Sequence, residues 1–195
     1  MKKAKRIFIL LGHPDEDSFN CTLADEYQRG AEEVGHEVRR VNIADMKFDP
    51  ILHHGYRVIQ ELEPDLLMFQ ENVRWCEHFV IFYPSWWSTM PALLKGLIDR
   101  VWIPGFAFHF THSGNFWKKL LKGRSATMVV TSNTIPIVQR ILFGDTTNEL
   151  KKGILGFSGF SPVRVYKIGY LAHFGSMGRR ERIKRGIYKR GRGAR

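Results

Sequence analysis

A chain of 195 residues, 44 % apolar and 25 % charged, is long enough to bury one sizeable core and too apolar to remain disordered. Its net charge of +11 is lopsided: nine Lys and Arg against Glu181 alone follow Met177 and supply +8 of it, so residues 1–177 carry only +3. Two cysteines, Cys21 and Cys76, with no C-x-x-C pair, argue against a disulfide framework or a cysteine-rich metal site and predict reduced thiols in a cytoplasmic protein.

The first apolar run, Ile7–Leu11, ends at Gly12, too soon for a signal peptide or a membrane span, and Arg6–Leu11 reads as a buried strand. Asn20–Val34 follows as a helix, with Leu23, Ala24, Tyr27, Ala31 and Val34 at helical spacing and Gly35 where a helix stops. Glu37–Asn42 is a second strand. The long connection after it contains Pro50 and is predicted to hold a helix near Tyr56–Leu62. Pro64–Cys76 reads as a helix with proline in its first turn, and His78–Tyr83 as a strand buried on both faces. Met90–Trp102 is a helix with Leu93, Leu94, Leu97, Ile98 and Val101 on its core side. Ser125–Thr131 is the fourth strand, Thr146–Gly156 a helix, Val163–Ile168 the fifth strand and Ser176–Tyr188 the last helix.

Five short apolar strands interleaved with helices call for an α/β fold, a parallel sheet covered on both faces through right-handed crossovers. Residues 1–177 read as one domain and 178–195 as a basic helix or tail, either a solvated, partly frayed end or a contact for nucleic acid or an anionic membrane. Two strand orders fit five such units. The order 2-1-3-4-5 would set the carboxyl ends of strands one and three side by side, where open sheets bind ligands.

Two loops would then meet. Gly12–Asn20, G-H-P-D-E-D-S-F-N, runs into a helix whose free amides and dipole favour a phosphate, with His13, Ser18 and Asn20 adding donors. It reads also as a plain helix start capped by Ser18, and Asp15, Glu16 and Asp17 suit an anion only if they point outward. Neither a G-x-G-x-x-G nor a P-loop is present. The second loop, P-S-W-W-S-T-M over Pro84–Met90, offers a flat apolar slot for a planar ring, or else anchors for a core or interface. His53-His54 and the segment from His109 to His112 show no carboxylate or cysteine at ligand spacing, so no metal is expected. Ser85 lacks the G-x-S-x-G elbow of a hydrolase, and Cys21 is expected to be buried.

The pair H-x-x-x-x-S-F-N (His13, Ser18, Phe19, Asn20) and F-x-P-x-x-W-x-x-x-P-A-x-L-K-G (Phe82, Pro84, Trp87, Pro91, Ala92, Leu94, Lys95, Gly96), continued by D-R-V-W-I-P-G-F-A-F at Asp99–Phe108, resembles the NAD(P)H:quinone oxidoreductases of flavodoxin-like fold. The resemblance implies a three-layer sandwich with sheet order 2-1-3-4-5. It implies a flavin, FAD in preference to FMN, with phosphates at His13, Ser18, Phe19 and Asn20 and its ring against Pro84, Ser85, Trp86, Trp87 and Ser88. Thr131, Ser132, Asn133 and Thr134 would border the ring's pyrimidine edge, and Phe106, Phe108, His109 and Phe110 would wall a substrate slot at a homodimer interface.

The activity implied is two-electron transfer from NAD(P)H through flavin to a quinone-like acceptor. A flavin-binding ancillary protein, resembling those of potassium-efflux systems, is the alternative. Two departures stand out. Thr131-Ser132-Asn133-Thr134 replaces the family's T-T-G-G, and apolar Ile137 and Phe143 stand where relatives carry a tyrosine and a histidine that balance charge on the reduced flavin. Acid–base assistance by that pair is therefore not implied for this chain.

Overall fold

The structure is a computed structural model that describes residues 3–111, 116–169 and 177–194. In chain order its elements are β1 (Arg6–Leu11), α1 (Phe19–Glu33), β2 (Glu37–Asn42), α2 (Pro64–Trp75), β3 (His78–Pro84), α3 (Ala92–Val101), β4 (Phe108–Phe110), β5 (Trp117–Lys119), β6 (Ser125–Thr131), α4 (Pro136–Phe143), a π-helical segment (Glu149–Gly156), β7 (Val163–Ile168) and α5 (Met177–Gly193). Five strands pair in parallel in the order β2-β1-β3-β6-β7, which is 2-1-3-4-5 counted along this sheet, and β4 and β5 form a separate antiparallel hairpin.

The sheet is covered on both sides because β1 and β3 are apolar or aromatic from their second residue onward, over residues 7–11 and 79–84. Phe8 and Leu10 of β1, with Phe79, Ile81 and Tyr83 of β3, face α2, α3 and the π-helical segment. Ile7, Ile9 and Leu11, with Val80 and Phe82, face α1 and Ile187 of α5. Each such fully buried Phe, Leu or Ile contributes about 1.5–3 kcal/mol, so the alternation of a strand's side chains builds two cores from one run of residues.

Helix α1 begins where Ser18 Oγ accepts the Cys21 amide at 3.3 Å. It stops at Gly35, whose φ of +84° few other residues adopt, with His36 N donating back to Ala31 O. The connection from β2 to α2 is held by Arg100 of α3, which is 1 % exposed. Its guanidinium grips both Glu63 carboxylate oxygens, at 2.7 and 3.1 Å, and the carbonyls of Asp49 and Glu61.

Five elements differ from the sequence reading. The helix expected near Tyr56–Leu62 is a single 3-10 turn, Gly55–Arg57, followed by extended chain. The backbone there is claimed by Arg100 and by Gln60 Nε2 on Ile51 O, and the residue before Pro64 is held extended. Helix α4 was not foreseen, nor was the β4–β5 hairpin. The helix at Thr146–Gly156 is π-helical over Glu149–Gly156. Finally, α5 runs to Gly193 and packs on α1 instead of fraying, with Ile187 buried; the Ser176 start expected for it lies outside the described residues.

Candidate active site

Three strand ends converge on one rim of the sheet. Gly12 N donates to Phe82 O at 2.7 Å, extending the β1–β3 pairing by one residue, so the turns that leave these strands start side by side. They touch again at their tips, where the His13 imidazole meets the Trp86 indole edge-on with centroids 5.5 Å apart. Ser85 N donates to Thr131 O at 2.7 Å, and the buried Asn20 amide donates from Nδ2 to Thr131 Oγ1 at 2.9 Å. The first, third and fourth strand ends are thus joined by polar bonds among buried or half-buried atoms.

The first turn holds its shape by local bonds. His13 Nδ1 accepts the Asp15 amide at 2.9 Å, which places the proton of the neutral ring on Nε2 and makes that atom a donor. Asp15, Glu16 and Asp17 are exposed. The Glu16 carboxyl is raised above its ordinary range by a hydrogen bond to Asp45, and the Asp17 amide donates to Asp15 Oδ1. Ser18 Oγ accepts from Cys21 and keeps its O–H as a donor, and the amides of Phe19 and Asn20, first in α1, keep the outward aim of first-turn donors. Half-buried Phe19 lies under the Arg180 guanidinium, 5.4 Å from its ring centroid.

The second turn, Trp86–Thr89, is a tight reversal closed by reciprocal backbone bonds of 2.9 and 3.0 Å. Trp87 and Ser88 at its tip both have positive φ, +49° and +65°, the geometry of a type I′ turn built without glycine. Trp87 is 100 % exposed. Thr89 Oγ1 donates to Glu149 Oε2 at 3.0 Å, anchoring the turn to the π-helical segment.

Between this turn and the fourth lies a cleft of about 320 Å³ lined by Ser85, Trp86, Trp87, Ser88, Ser132, Asn133, Thr134, Gln139 and Phe143. Asn133 and Thr134 are exposed and leave the cleft open, while Ser132 Oγ turns back to Thr134 O at 2.9 Å. Pro84, expected against the ring, is buried as the last residue of β3 and is not part of the lining.

Gln139 escaped the sequence reading. Its side chain is buried and donates from Nε2 to Ser85 Oγ at 3.1 Å. The signal was present in Pro136 at a helix start and Gly144 after its end, flanking seven residues that are apolar except for Gln139 and Arg140. Asp145 then fixes the end of α4: its carboxylate accepts from Lys167 Nζ and Thr147 Oγ1, both at 2.7 Å. The Lys167 ammonium is the leading cause that drives its pKa far below the usual carboxylate range.

The aromatic segment is only partly where the resemblance implied. Phe106 is a core residue, packed edge-on against Trp102 at 5.7 Å and covered by Arg74, which corrects its assignment to a substrate wall. Phe108, half-buried, packs on Phe157 and Phe110, while His109 and Phe110 are exposed on the hairpin. None of the four lines the cleft of its own chain.

Two further expectations change. His53 does have a carboxylate in reach, Asp49 Oδ2 at 2.6 Å, and among the described residues no third ligand joins them; His112 lies outside the described residues. Cys21 is half-buried, its sulfur 3.2 Å from Arg40 Nη2.

Residues 5–185 match the Flavodoxin_2 family, described as a flavodoxin-like fold. The chain belongs to this family. It is 26 % identical over 199 residues to NAD(P)H dehydrogenase (quinone) 1 of Cavia porcellus, covering 87 % of this chain and 71 % of that protein. It is 29 % identical over 151 residues to the ribosyldihydronicotinamide dehydrogenase-like protein traD of Penicillium crustosum, covering 65 % of this chain but only 57 % of that one. The solved structure of Smu.1420 from Streptococcus mutans UA159 superposes with a TM-score of 0.85 at 28 % identity, covering 96 % of this chain and 99 % of that one. The resemblance to quinone oxidoreductases drawn from two motifs therefore extends over nearly the whole flavodoxin-like domain.

Proposed function

We propose that this protein is a flavin-dependent oxidoreductase that moves two electrons from NAD(P)H to a quinone-like acceptor. The observation that carries the reading is the convergence of three strand ends, with the His13 ring against Trp86 beside an open cleft between the Trp86 turn and residues 132–134, in a chain whose relatives are named as NAD(P)H or ribosyldihydronicotinamide dehydrogenases.

The residues present fit a flavin. A cleft with the indoles of the Ser85–Ser88 turn on one wall and the backbone of residues 132–134 on the other suits a planar ring with polar edges, and Asn133 and Thr134 do not fill it. His13 Nε2, Ser18 and the amides of Phe19 and Asn20 would hold the phosphates, since a helix start offers both donors and positive potential. The Ser85–Ser88 and Thr131–Thr134 backbones would border the ring. Flavin, once bound, supplies hydride acceptance and onward electron transfer.

The chain's own part is positioning. Gln139 fixes the Ser85 hydroxyl as an acceptor and so turns that hydroxyl's own proton elsewhere, while Glu149 fixes the Trp86–Thr89 turn through Thr89. Phe143 and Trp86 give the cleft apolar sides. Ile137 and Phe143 carry no titratable proton, so charge on a reduced ring would be met by backbone and amide donors of residues 85–88 and 132–134.

A second copy of the chain would complete the site. The outer face of α4 is apolar, with Ile141 76 % exposed beside Ile137, Leu142 and Phe143, and it abuts the cleft. Phe108, His109 and Phe110, which do not reach their own cleft, would then serve the partner's. The free thiols of Cys21 and Cys76 suit a cytoplasmic setting, and among the described residues no helix is long and apolar enough to cross a membrane.

The visible spectrum of the purified or reconstituted protein tests the reading. A flavin band bleached by NAD(P)H and restored by a quinone is expected, with FAD released on denaturation. FMN would leave the ring site intact and change only the cofactor's tail. A bound flavin without turnover would favour the ancillary protein, and a chain that binds no flavin would end the proposal.

A further inference from the structure

Helix α5 is held by one face and bare on the other. Ile183, Ile187 and Ala194 pack against α1, and glycines meet backbone on both helices, Gly191 against Tyr27 O and Gly30 against Tyr188 O. Several of its cations are spent internally. Arg179 donates to Gly169 O at 2.8 Å, the Arg190 guanidinium lies 3.8 Å over the Tyr166 ring, and Lys184 pairs with Glu181 at 2.6 Å.

Arg180 lies over the Phe19 ring, and the four remaining cations are arranged differently. Arg182, Arg185, Lys189 and Arg192 recur at intervals of three, four and three, and all four are exposed. At 100° per residue they fall within roughly an 80° arc, a stripe about 15 Å long on a rigid helix. Arg192 touches Glu33 at 3.2 Å; among the described residues no carboxylate pairs with the other three. The field is one-sided as well, because residues 1–177 hold only +3 of the total +11.

We propose that this stripe binds the phosphodiester backbone of nucleic acid without reading its sequence. Its chemistry matches a polyanion of closely and regularly spaced charges, and the planar guanidinium fork, which predominates here, takes phosphate oxygens two at a time. A lipid surface fits less well. No large apolar side chain of α5 is exposed among the described residues, so the helix offers charge to a membrane and nothing to insert into it. The stripe lies on side chains that the cleft does not use, so the inference stands apart from the flavin reading.

The test uses the full-length protein and a labelled duplex DNA of arbitrary sequence, with binding followed by anisotropy as salt is raised from about 50 to 200 mM. Four phosphate contacts predict a slope of log affinity against log salt near −3.6, a loss of about 100-fold across that range. The combined variant Arg182→Gln, Arg185→Gln, Lys189→Gln should flatten the slope to about −1, with an unchanged melting temperature. Arg182→Lys with Arg185→Lys should keep the wild-type slope. No binding at the lower salt, an unchanged slope in the glutamine variant, or capture by phosphatidylserine vesicles in preference to the duplex would each overturn the proposal.

Discussion

Gln139 carries more of the cleft's polar architecture than its place on an outward-facing helix suggests. It is the buried side chain of α4, and its amide is the bond between that helix and the third strand end. Replacing it with leucine removes a hydrogen bond worth about 1 kcal/mol and frees the Ser85 hydroxyl. Flavin affinity should fall by about fivefold in a fluorescence titration, with the melting temperature of the flavin-free chain little changed. An equal loss in Ser85→Ala and no further loss in the double variant would locate the effect in the pair.

His78 sets a pH dependence of a different kind. The imidazole is buried at the start of β3, with Nδ1 2.8 Å from Ser125 Oγ. Burial, reinforced by the charges of Lys5 and Arg164, pushes its pKa down to about 3. In the unfolded chain the ring takes a proton near pH 6.5, whereas in the fold it stays neutral down to about 3. The unfolded state therefore binds more protons between these values, and stability falls by up to about 1.4 kcal/mol for each pH unit below 6.5. Urea unfolding of wild type at pH 7 and pH 5 should show this loss, and His78→Leu should reduce it.

At the scale of elements, the helix pair α1–α5 depends on backbone contact. A Cβ at Gly191 would collide with Tyr27 O, and one at Gly30 with Tyr188 O. Carbonyl oxygens inside helices cannot step aside, so Gly191→Ala must separate the helices and cost about 1–3 kcal/mol. The thermal midpoint should drop by several degrees; an unchanged midpoint would mean that the helices do not sit this close.

Which elements the sequence revealed follows from where their residues face. The strands β1, β3 and β6 were plain because a parallel strand buried on both faces is an unbroken apolar run. Helix α4 was obscured by the opposite arrangement, apolar residues outward and a glutamine inward, which no rule of core-facing periodicity recognises. The course of residues 46–63 depends on Arg100, tens of residues distant in sequence, and no local signal foretells such a clasp. In the cleft, the loops at His13 and Trp86 were legible because both follow apolar strands and carry the two motifs of the resemblance. The links Asn20–Thr131 and Gln139–Ser85 join side chains across strands and required coordinates.

For the whole molecule, the two exposed faces lie on different helices and differ in character. The face of α4 is apolar and borders the cleft, while that of α5 is cationic and is built on α1. The first asks to be covered by a copy of the chain; charge placed there should prevent it. Ile141→Glu with Leu142→Lys should convert a dimer into a monomer in sedimentation velocity and lower turnover with it, leaving the melting cooperative. A wild-type protein that sediments as a monomer at micromolar concentration would refute the shared site.

Trp87 and Ser88 hold left-handed backbone at the tip of a turn where glycine would sit without effort. Each such residue costs about 1–3 kcal/mol, and the indole it displays is surrounded by water. The chain is thus less durable than it need be, by an amount written into two adjacent dihedral angles. Ser88→Gly should make the protein harder to melt, and the serine present there gives stiffness at the lip of the cleft at the expense of thermal margin.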